Sequence, residues 1–329
     1  MSSYIAPSMG YSQQLSKLCE ASTKKFYLPY LDIDWSSDEN QIDCDDNVWG
    51  DMSNTFLGQT EWFANQPQEI KNQIGLQANV NTTSLGIIFE NLLTRGLLSF
   101  STTLPKGSQE YRYAMHEAIE ECHHSMMFDE FIKRTGVEPQ PHPWLSRFLA
   151  TGVDSLARNF PELFFIFVLG GEAPIDYVQR RTLAEHKNLH PLVEKIMKIH
   201  TTEEARHISF AEHFLQEHVP QLSKIKRARI SIATPLIFSI MSNMMLKPST
   251  AMVRKFKIPN EVISQAYGNN VEYHRYVHDS FKSVTDLTRE LGLINQYSRL
   301  LWNRFFFRDC ESRTLEAELW KSKDQNASR

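Results

Sequence analysis

The sequence predicts an all-α fold. From residue 82 onward, apolar residues recur at three- and four-residue spacing in long blocks, the pattern of amphipathic helices. Strand-like alternation is hard to find after residue 80, and sparse glycines and prolines mark the breaks between blocks. The predicted helices cover residues 82–101, 110–135, 160–187, 189–218, 224–247, 260–291 and 294–318.

The first 80 residues are less regular and are predicted to form an N-terminal arm. Its segment YLPYLDIDW (27–35) is interpreted as an extended or looped stretch that packs on a helical bundle. Because no linker or low-complexity segment divides the chain, we predict a single domain over residues 1–329. Within it, residues 1–80 form the arm, 81–218 a four-helix core, and 219–329 additional C-terminal helices that support the core.

Composition excludes several classes of function. A net charge of −4 and a pI near 6.3 argue against a nucleic-acid or anionic-membrane partner. The scattered cysteines lack CxxC spacing, which argues against a disulfide scaffold and indicates a reducing cytoplasm. The start of the chain has no signal-peptide pattern. The apolar segment 230–246 is shorter than the roughly 20 residues of a membrane span and contains Pro235, so a buried core helix is predicted.

Acidic and histidine residues interrupt the apolar pattern in four predicted helices. Glu90 lies in LGIIFENLLTRGLL, and Glu172 follows the apolar run FFIFVLGG. EAIEECHH (117–124) contains two overlapping Glu-x-x-His pairs, and HTTEEARH (200–207) contains a further pair. Taken singly, each element is ordinary, and Glu172 after two glycines is also compatible with a helix N-terminus. All of them in this order are much harder to obtain by chance.

On the last of these helices, three candidate ligands share one face. Each residue advances about 100° around a helix, so Glu204 and His207 lie at about 40° and about −20° from His200. All three side chains can therefore aim at one point. Glu203 and Arg206 fall elsewhere on the circumference, and we expect them on the outer face or in positions that support the ligands.

The order of these elements predicts two helical hairpins facing each other across a metal pair. Glu90 and Glu121 are 31 residues apart, and Glu172 and Glu204 are 32 apart. A buried pair of iron or manganese ions needs anionic oxygen ligands and imidazoles. Ferritin-like carboxylate proteins supply a lone Glu from each of two helices and Glu-x-x-His from each of two others. The sequence therefore predicts a ferritin-like, metal-binding core.

Two assignments stay open from the residues alone. In the first Glu-x-x-His, Glu121 with His124 and Glu120 with His123 have the same spacing; aligning EECHH with EEARH favours the former, but the apolar phase does not decide. His200 is either a third histidine ligand or a supporting or solvated residue. As a ligand it would give one metal an additional neutral donor.

Several of these segments resemble the p-aminobenzoate N-oxygenase family of ferritin-like diiron proteins. The resemblance rests on Glu90, EECHHSMMF, Glu172, HTTEEARHISFAEHF and the early KFYLPYLDIDW, and extends from about residue 15 to 310. A third histidine four residues before the last Glu-x-x-His marks the family, and His200 matches it. The resemblance implies a set of metal ligands and no other catalytic residue. These ligands are Glu90, Glu121, His124, Glu172, His200, Glu204 and His207.

The resemblance also implies the chemistry. Two iron ions with an oxygen bridge, manganese being the alternative, would bind O₂ and oxidise an amine, in particular an arylamine, through hydroxylamine toward nitro, as in natural-product biosynthesis. The expected partners are the amine, O₂ and an electron donor or reductase; a homodimer is possible, and no membrane is expected. Apolar stretches at 125–128, 164–167 and 241–245 either line a substrate pocket or are plain core.

Three alternatives remain open. The same ligands could serve a diiron oxidase, hydroxylase or desaturase acting on an aliphatic or carrier-bound substrate. They could also belong to a ferritin-like iron-binding protein without an organic substrate. In the last alternative, the motifs are structural ion pairs that bind no metal.

Overall fold

A computed structural model describes residues 7–140 and 152–306. This part of the chain is helical and contains no strand, which confirms the all-α prediction. Residues 307–318 of the last predicted helix lie outside it. The helices are α1 (Met9–Lys24), α2 (Pro29–Asp32), α3 (Glu61–Ala64), α4 (Gln68–Ser101), α5 (Gln109–Thr135), α6 (152–159), α7 (Pro161–Glu185), α8 (Pro191–His218), α9 (Lys224–Met245), α10 (Thr250–Lys255), α11 (Asn260–Ile263), α12 (Val271–Ser280), α13 (Lys282–Glu290) and α14 (Arg299–Phe305).

The core consists of two helical hairpins, α4 with α5 and α7 with α8, as predicted. Local sequence sets the ends of these helices. The Ser108 hydroxyl accepts a hydrogen bond from the Tyr111 N–H at 3.1 Å at the start of α5, and Gly136 ends that helix with a φ of 62°. Pro191 occupies the first turn of α8, where no N–H is needed. The short connections keep each pair antiparallel.

Glycines let the two hairpins approach closely. A Cβ at Gly96 of α4 would lie 2.1 Å from the Phe164 ring of α7, and one at Gly171 would lie 3.2 Å from the Phe89 ring. Any larger residue at Gly96 would therefore push the helices apart. Because Gly171 precedes Glu172, its close contact with Phe89 brings the part of α7 that carries Glu172 close to α4.

The first core helix begins at Gln68 rather than at residue 82, so residues 68–80 of the predicted arm belong to it. Polar side chains interrupt the apolar pattern in this stretch, so the sequence does not show that it is helical. Asn72 donates to the Asp45 carbonyl at 2.9 Å, and Gln77 donates to the Glu138 carbonyl at 3.1 Å. Buried polar residues with such partners break the apolar period without breaking the helix.

The predicted helix 260–291 is also interrupted. A π turn over Ser264–Gly268 follows α11, and the Asn270 side chain then accepts from the Tyr273 N–H at 3.1 Å to begin α12. The Gly268-Asn269-Asn270 sequence supplies the break, because glycine and asparagine favour turns and helix caps.

The N-terminal arm covers the outer side of α5 and α8. Helix α1 packs against both, and Ile33 and Trp35 from the 27–35 segment are buried. The Arg134 guanidinium donates to the Trp35 carbonyl at 2.6 Å and lies 5.2 Å over its ring. The Tyr27 N–H donates to the Glu203 carboxylate at 3.0 Å. The arm therefore reaches a buried carboxylate of the core.

By length and composition, one segment of the described chain, Lys224–Lys255, could cross a membrane. Of its most apolar window, 39% is buried in the fold. The core helix of a globular protein meets the same criterion, and Ile230, Phe238 and Met241 of α9 do lie in the core.

Candidate metal centre

The structure brings all seven predicted site residues into one buried cluster. The most exposed of them, Glu172, has 4% of its surface accessible. Their donor atoms fall into overlapping groups within 4.8 Å of one another, a separation that a shared cation can span. The contributing residues are Glu90 from α4, Glu121 and His124 from α5, Glu172 from α7, and His200, Glu204 and His207 from α8.

Glu204 and Glu121 lie at the centre of the cluster. Glu204 Oε1 is 3.3 Å from Nδ1 of both His124 and His207, and Glu121 has an oxygen 3.2 Å from each of the same two nitrogens. Both imidazoles therefore direct Nδ1 inward.

Several of these inward atoms have no hydrogen-bond partner despite their proximity. They include both oxygens of Glu204, one of Glu121, one of Glu90, and Nδ1 of His207. Leaving buried polar atoms unsatisfied is costly, and a cation bound by all of them would remove the cost. The donor set, carboxylates mixed with imidazoles, suits iron or manganese.

The outward nitrogens of the two histidines are held by carboxylates from the opposite helix. His124 Nε2–H donates to Glu203 at 2.9 Å, and His207 Nε2–H donates to Glu120 at 2.8 Å. The two residues of each Glu-Glu pair therefore have different positions. The second, Glu121 or Glu204, faces the centre of the cluster, and the first, Glu120 or Glu203, orients the histidine of the other helix. Such partners fix the ring orientation and increase ligand basicity.

Arg206 lies between these two orienting carboxylates. Its Nη2 is 2.9 Å from Glu120 and 3.6 Å from Glu203. The outer-face interpretation of Glu203 and Arg206 is wrong, because the residues are 0% and 9% exposed. Glu203 contacts His124, and Arg206 contacts the two orienting carboxylates. The repeated Glu-Glu pair was the sequence signal for this role.

The structure separates the two overlapping Glu-x-x-His pairs. Glu121 and His124 are fully buried in the cluster, whereas His123 is only partly buried and outside every donor group. Glu120 is buried beside the cluster, on His207 and Arg206. The placement therefore favours Glu121 and His124 as ligands.

His200 faces the cluster. Its Nε2 is 3.3 Å from Glu90 and 3.6 Å from Glu204, and its Nδ1–H donates to the Gln179 side chain at 2.9 Å. The solvated alternative is wrong, because the residue is 3% exposed. Gln179 was missed from the sequence, although it lies two turns after Glu172 on the same face of α7.

Glu172 lies in the middle of α7, so the interpretation of it as a helix N-terminal residue is wrong. Burial, and then the negative charges of Glu204 and Glu90, raise its pKa well above the usual value. Burial and Glu121 do the same to the pKa of Glu90. Both shifts favour the neutral, protonated form of these two carboxyls when no cation is bound.

The three histidines of the cluster differ in the direction of their pKa shifts. Burial lowers the pKa of His124, but the carboxylates of Glu121, Glu203 and Glu204 around its ring outweigh burial and raise the pKa well above 6.5. Burial also lowers the pKa of His207, but the negative charges of Glu204 and Glu121 outweigh burial and raise the pKa well above 6.5. For His200, burial dominates and lowers the pKa to about 4.

Metal binding is therefore expected to release protons at neutral pH. Glu90, Glu172, His124 and His207 have raised pKa values and must lose protons to become ligands, so affinity should fall as the pH falls. Each proton displaced changes the apparent affinity about tenfold per pH unit. Calorimetric titration with Mn²⁺ in two buffers of different ionisation enthalpy at one pH measures the release. Equal heats in both buffers would contradict the expectation.

A cavity of about 100 Å³ adjoins the cluster. Glu90, Glu172 and His200 form one part of its wall, and the aromatic rings of Phe89 and Phe128 form another. Of the apolar stretches predicted as pocket or core, 125–128 contributes Phe128 and 241–245 contributes Met245, whereas 164–167 lies in the core.

A second cavity, of about 200 Å³, shares Thr82, Leu85 and Met245 with the first. It lies between the 52–57 loop, α4, α7 and the end of α9. The shared residues place the two cavities next to each other, and none of the seven cluster residues lines the second.

Comparison with known proteins gives three findings. The family model for p-aminobenzoate N-oxygenase AurF matches residues 9–292, most of the chain. Uncharacterized proteins of Mycobacterium bovis and Mycobacterium tuberculosis are each 37% identical to the chain over 298 residues, 91% of this chain and 88% of theirs. No solved structure matches.

Proposed function

The chain belongs to the p-aminobenzoate N-oxygenase family of diiron oxygenases, and from that premise we propose that it is a diiron N-oxygenase acting on an amine, with arylamines as the preferred class. One observation carries the proposal. Buried carboxylates and imidazoles converge on one point beside an apolar cavity, which provides both a metal centre and a place for an organic substrate.

The seven residues predicted as ligands would hold the metal pair. Their four carboxylates match the charge of two divalent ions, and their three imidazoles complete a donor set suited to iron. When bound, the metal pair would supply the redox chemistry that activates O₂. Glu120, Glu203 and Gln179 hold the imidazoles in place, so the ligand geometry is prepared before metal arrives.

The overall oxidation requires an electron donor. Conversion of an amine to a hydroxylamine consumes O₂, two electrons and two protons and releases water, and further oxidation leads to nitroso and nitro products. We assign the electrons to a reductase or a small reductant in the cytoplasm. The described cysteines Cys19, Cys44 and Cys122 are free thiols.

The cavity defines how the amine would be held. Phe89, Phe128 and Ile175 offer apolar contacts to an aromatic ring, and Glu90 and His200 lie in the same wall, so the ring's amino group can face the metal ligands. Burial keeps water from the reacting nitrogen. A protein that only stores iron has no need of such a space, and this distinguishes the proposal from the ferritin-like alternative.

The direct test is oxidation by reconstituted protein. The chain, loaded anaerobically with Fe²⁺ and given a chemical reductant, is exposed to O₂ with a panel of arylamines, alkylamines and fatty acyl substrates, and products are identified by mass spectrometry. The proposal expects oxygen on the nitrogen of at least one arylamine. Oxidation at carbon would favour a hydroxylase or desaturase, and iron oxidation without organic product would favour an iron-binding protein.

His200→Ala is expected to leave the fold intact and to impair oxidation. It removes one neutral donor, and the cost should reach at least the roughly 10–100-fold typical of losing a residue that supports a metal. Product formation and iron stoichiometry measure it. His213→Ala is the matched control, since His213 lies on the same helix and bonds to the Ser209 carbonyl at 2.7 Å instead. Equal activity in both variants would show that His200 does not contribute to the oxidation.

A further inference from the structure

A further carboxylate, Glu117, belongs to the metal cluster although the predicted ligand set omits it. It lies one turn before Glu121 on α5, so the two side chains share a face. It is 0% exposed. One of its oxygens lies within 4.8 Å of ligand atoms of both Glu121 and His207.

Glu117 has no hydrogen-bonding partner that would compensate its burial. Neither of its oxygens has a hydrogen-bond partner. The neighbouring carboxylates that orient histidines are different: Glu120 pairs with Arg206 and His207, and Glu203 accepts from Tyr27 and His124. Among the described residues, only Glu204, at the centre of the cluster, is another carboxylate with both oxygens buried and unpartnered.

Burying an unpaired carboxylate is costly, so its position needs a physical reason. Two reasons are available: the group is a neutral acid, or it binds a cation. The proximity to His207 and Glu121, both directed at the cluster, favours the second reason, because a cation bound by these two side chains would also lie beside Glu117. A neutral acid would account for the burial alone, whereas a bound cation would also account for the position of the carboxylate beside two donors of the cluster.

We propose that Glu117 is an eighth protein ligand of the metal centre, on the ion held by Glu121 and His207. This inference rests on the metal centre of the proposed function, but not on the identity of the substrate. Glu117 would add a fifth carboxylate to the four of the predicted set. Its charge exceeds what two divalent ions balance, so it would stabilise the oxidised metal pair relative to the reduced one.

Glutamine is the discriminating replacement, because it reproduces the size and hydrogen-bonding character of a neutral acid but cannot replace a charged ligand. The full-length Glu117→Gln variant is titrated with Co²⁺, following the d–d absorption and the bound stoichiometry, and its thermal midpoint is measured with and without metal. Glu110→Gln is the matched control. Glu110 is a buried carboxylate of the same helix, 1% exposed, that accepts from the Tyr11 hydroxyl away from the cluster.

We expect wild type and Glu110→Gln to bind two Co²⁺ ions with the same spectrum. Glu117→Gln should bind one of the two about 10–100-fold more weakly, with an altered spectrum, and should gain less thermal stability on metal loading. If both affinities and the spectrum match those of the control, Glu117 is a neutral buried acid and the inference is overturned, while the metal centre stands. If wild type binds no Co²⁺, both this inference and the proposed function are overturned.

Glu117→Asp provides the second measurement should Glu117→Gln fail to fold. It keeps the charge but shortens the side chain by one methylene, so a ligand would be withdrawn from the metal. Weaker binding of the same single ion supports ligation. Binding and a spectrum identical to wild type contradict it.

Discussion

Glu204→Ala is expected to abolish tight binding of the metal pair and, with it, amine oxidation. Glu204 Oε1 is 3.3 Å from Nδ1 of His124 and of His207, and 3.6 Å from Nε2 of His200. Removing it withdraws the carboxylate that all three imidazoles face. The loss of activity should exceed the roughly 10–100-fold cost of losing a residue that only supports a ligand.

Metal content by mass spectrometry of the desalted protein, followed by the arylamine assay, measures both effects. Glu194→Ala is the control, because Glu194 is a partly exposed residue of the same helix that pairs with Lys198 one turn away. This control should retain metal and activity. A Glu204→Ala protein that still bound two metal ions with near-normal affinity would remove Glu204 from the centre and weaken the proposed function.

Arg206→Met is expected to destabilise the metal-free protein by about 3–5 kcal/mol, the usual cost of removing one partner from a buried ion pair. Arg206 is 9% exposed, and its loss leaves the buried carboxylates of Glu120 and Glu203 with His207 and His124 as their remaining side-chain partners. Methionine fills much of the arginine volume, so the change isolates the charge. Urea unfolding at neutral pH, monitored by circular dichroism, gives the free-energy difference.

The control for this experiment is an exposed ion pair. Lys282→Ala removes one of the two basic partners of Asp286, at 2.6 Å on the surface, and should cost at most about 1 kcal/mol. The double variant Arg206→Met with Glu120→Gln should recover part of the lost stability, because the negative charge of one of the two carboxylates that Arg206 contacts is then removed. A loss for Arg206→Met as small as that of the surface control would show that Arg206 does not compensate these carboxylates.

Much of the candidate site was predictable because helix geometry is local. The three- and four-residue spacings of His200, Glu204 and His207 place these side chains on one face, whatever the helix packs against. The matching intervals between Glu90 and Glu121 and between Glu172 and Glu204 then predicted paired hairpins. The structure brings all seven residues together, and their role as metal ligands stays a prediction that the titrations above test.

The supporting residues were less predictable, because their partners lie on other helices. Glu120 and Glu203 look like members of ordinary charged pairs in the sequence, yet each holds a histidine of the opposite helix. The bond from Gln179 to His200 joins α7 to α8. The lack of partners for Glu117 is a property of its surroundings, which no spacing along α5 reveals.

The sequence by itself determined the all-α class, the two hairpins and which face of each core helix carries the acidic and histidine residues, since these depend on periodicity along one chain segment. Only the tertiary structure decided that α4 begins at Gln68, that a cavity adjoins Glu90 and His200, and that Glu117 joins the cluster. These features depend on how closely the helices approach, as at Gly96 and Phe164. Such distances arise from packing between segments far apart in the chain.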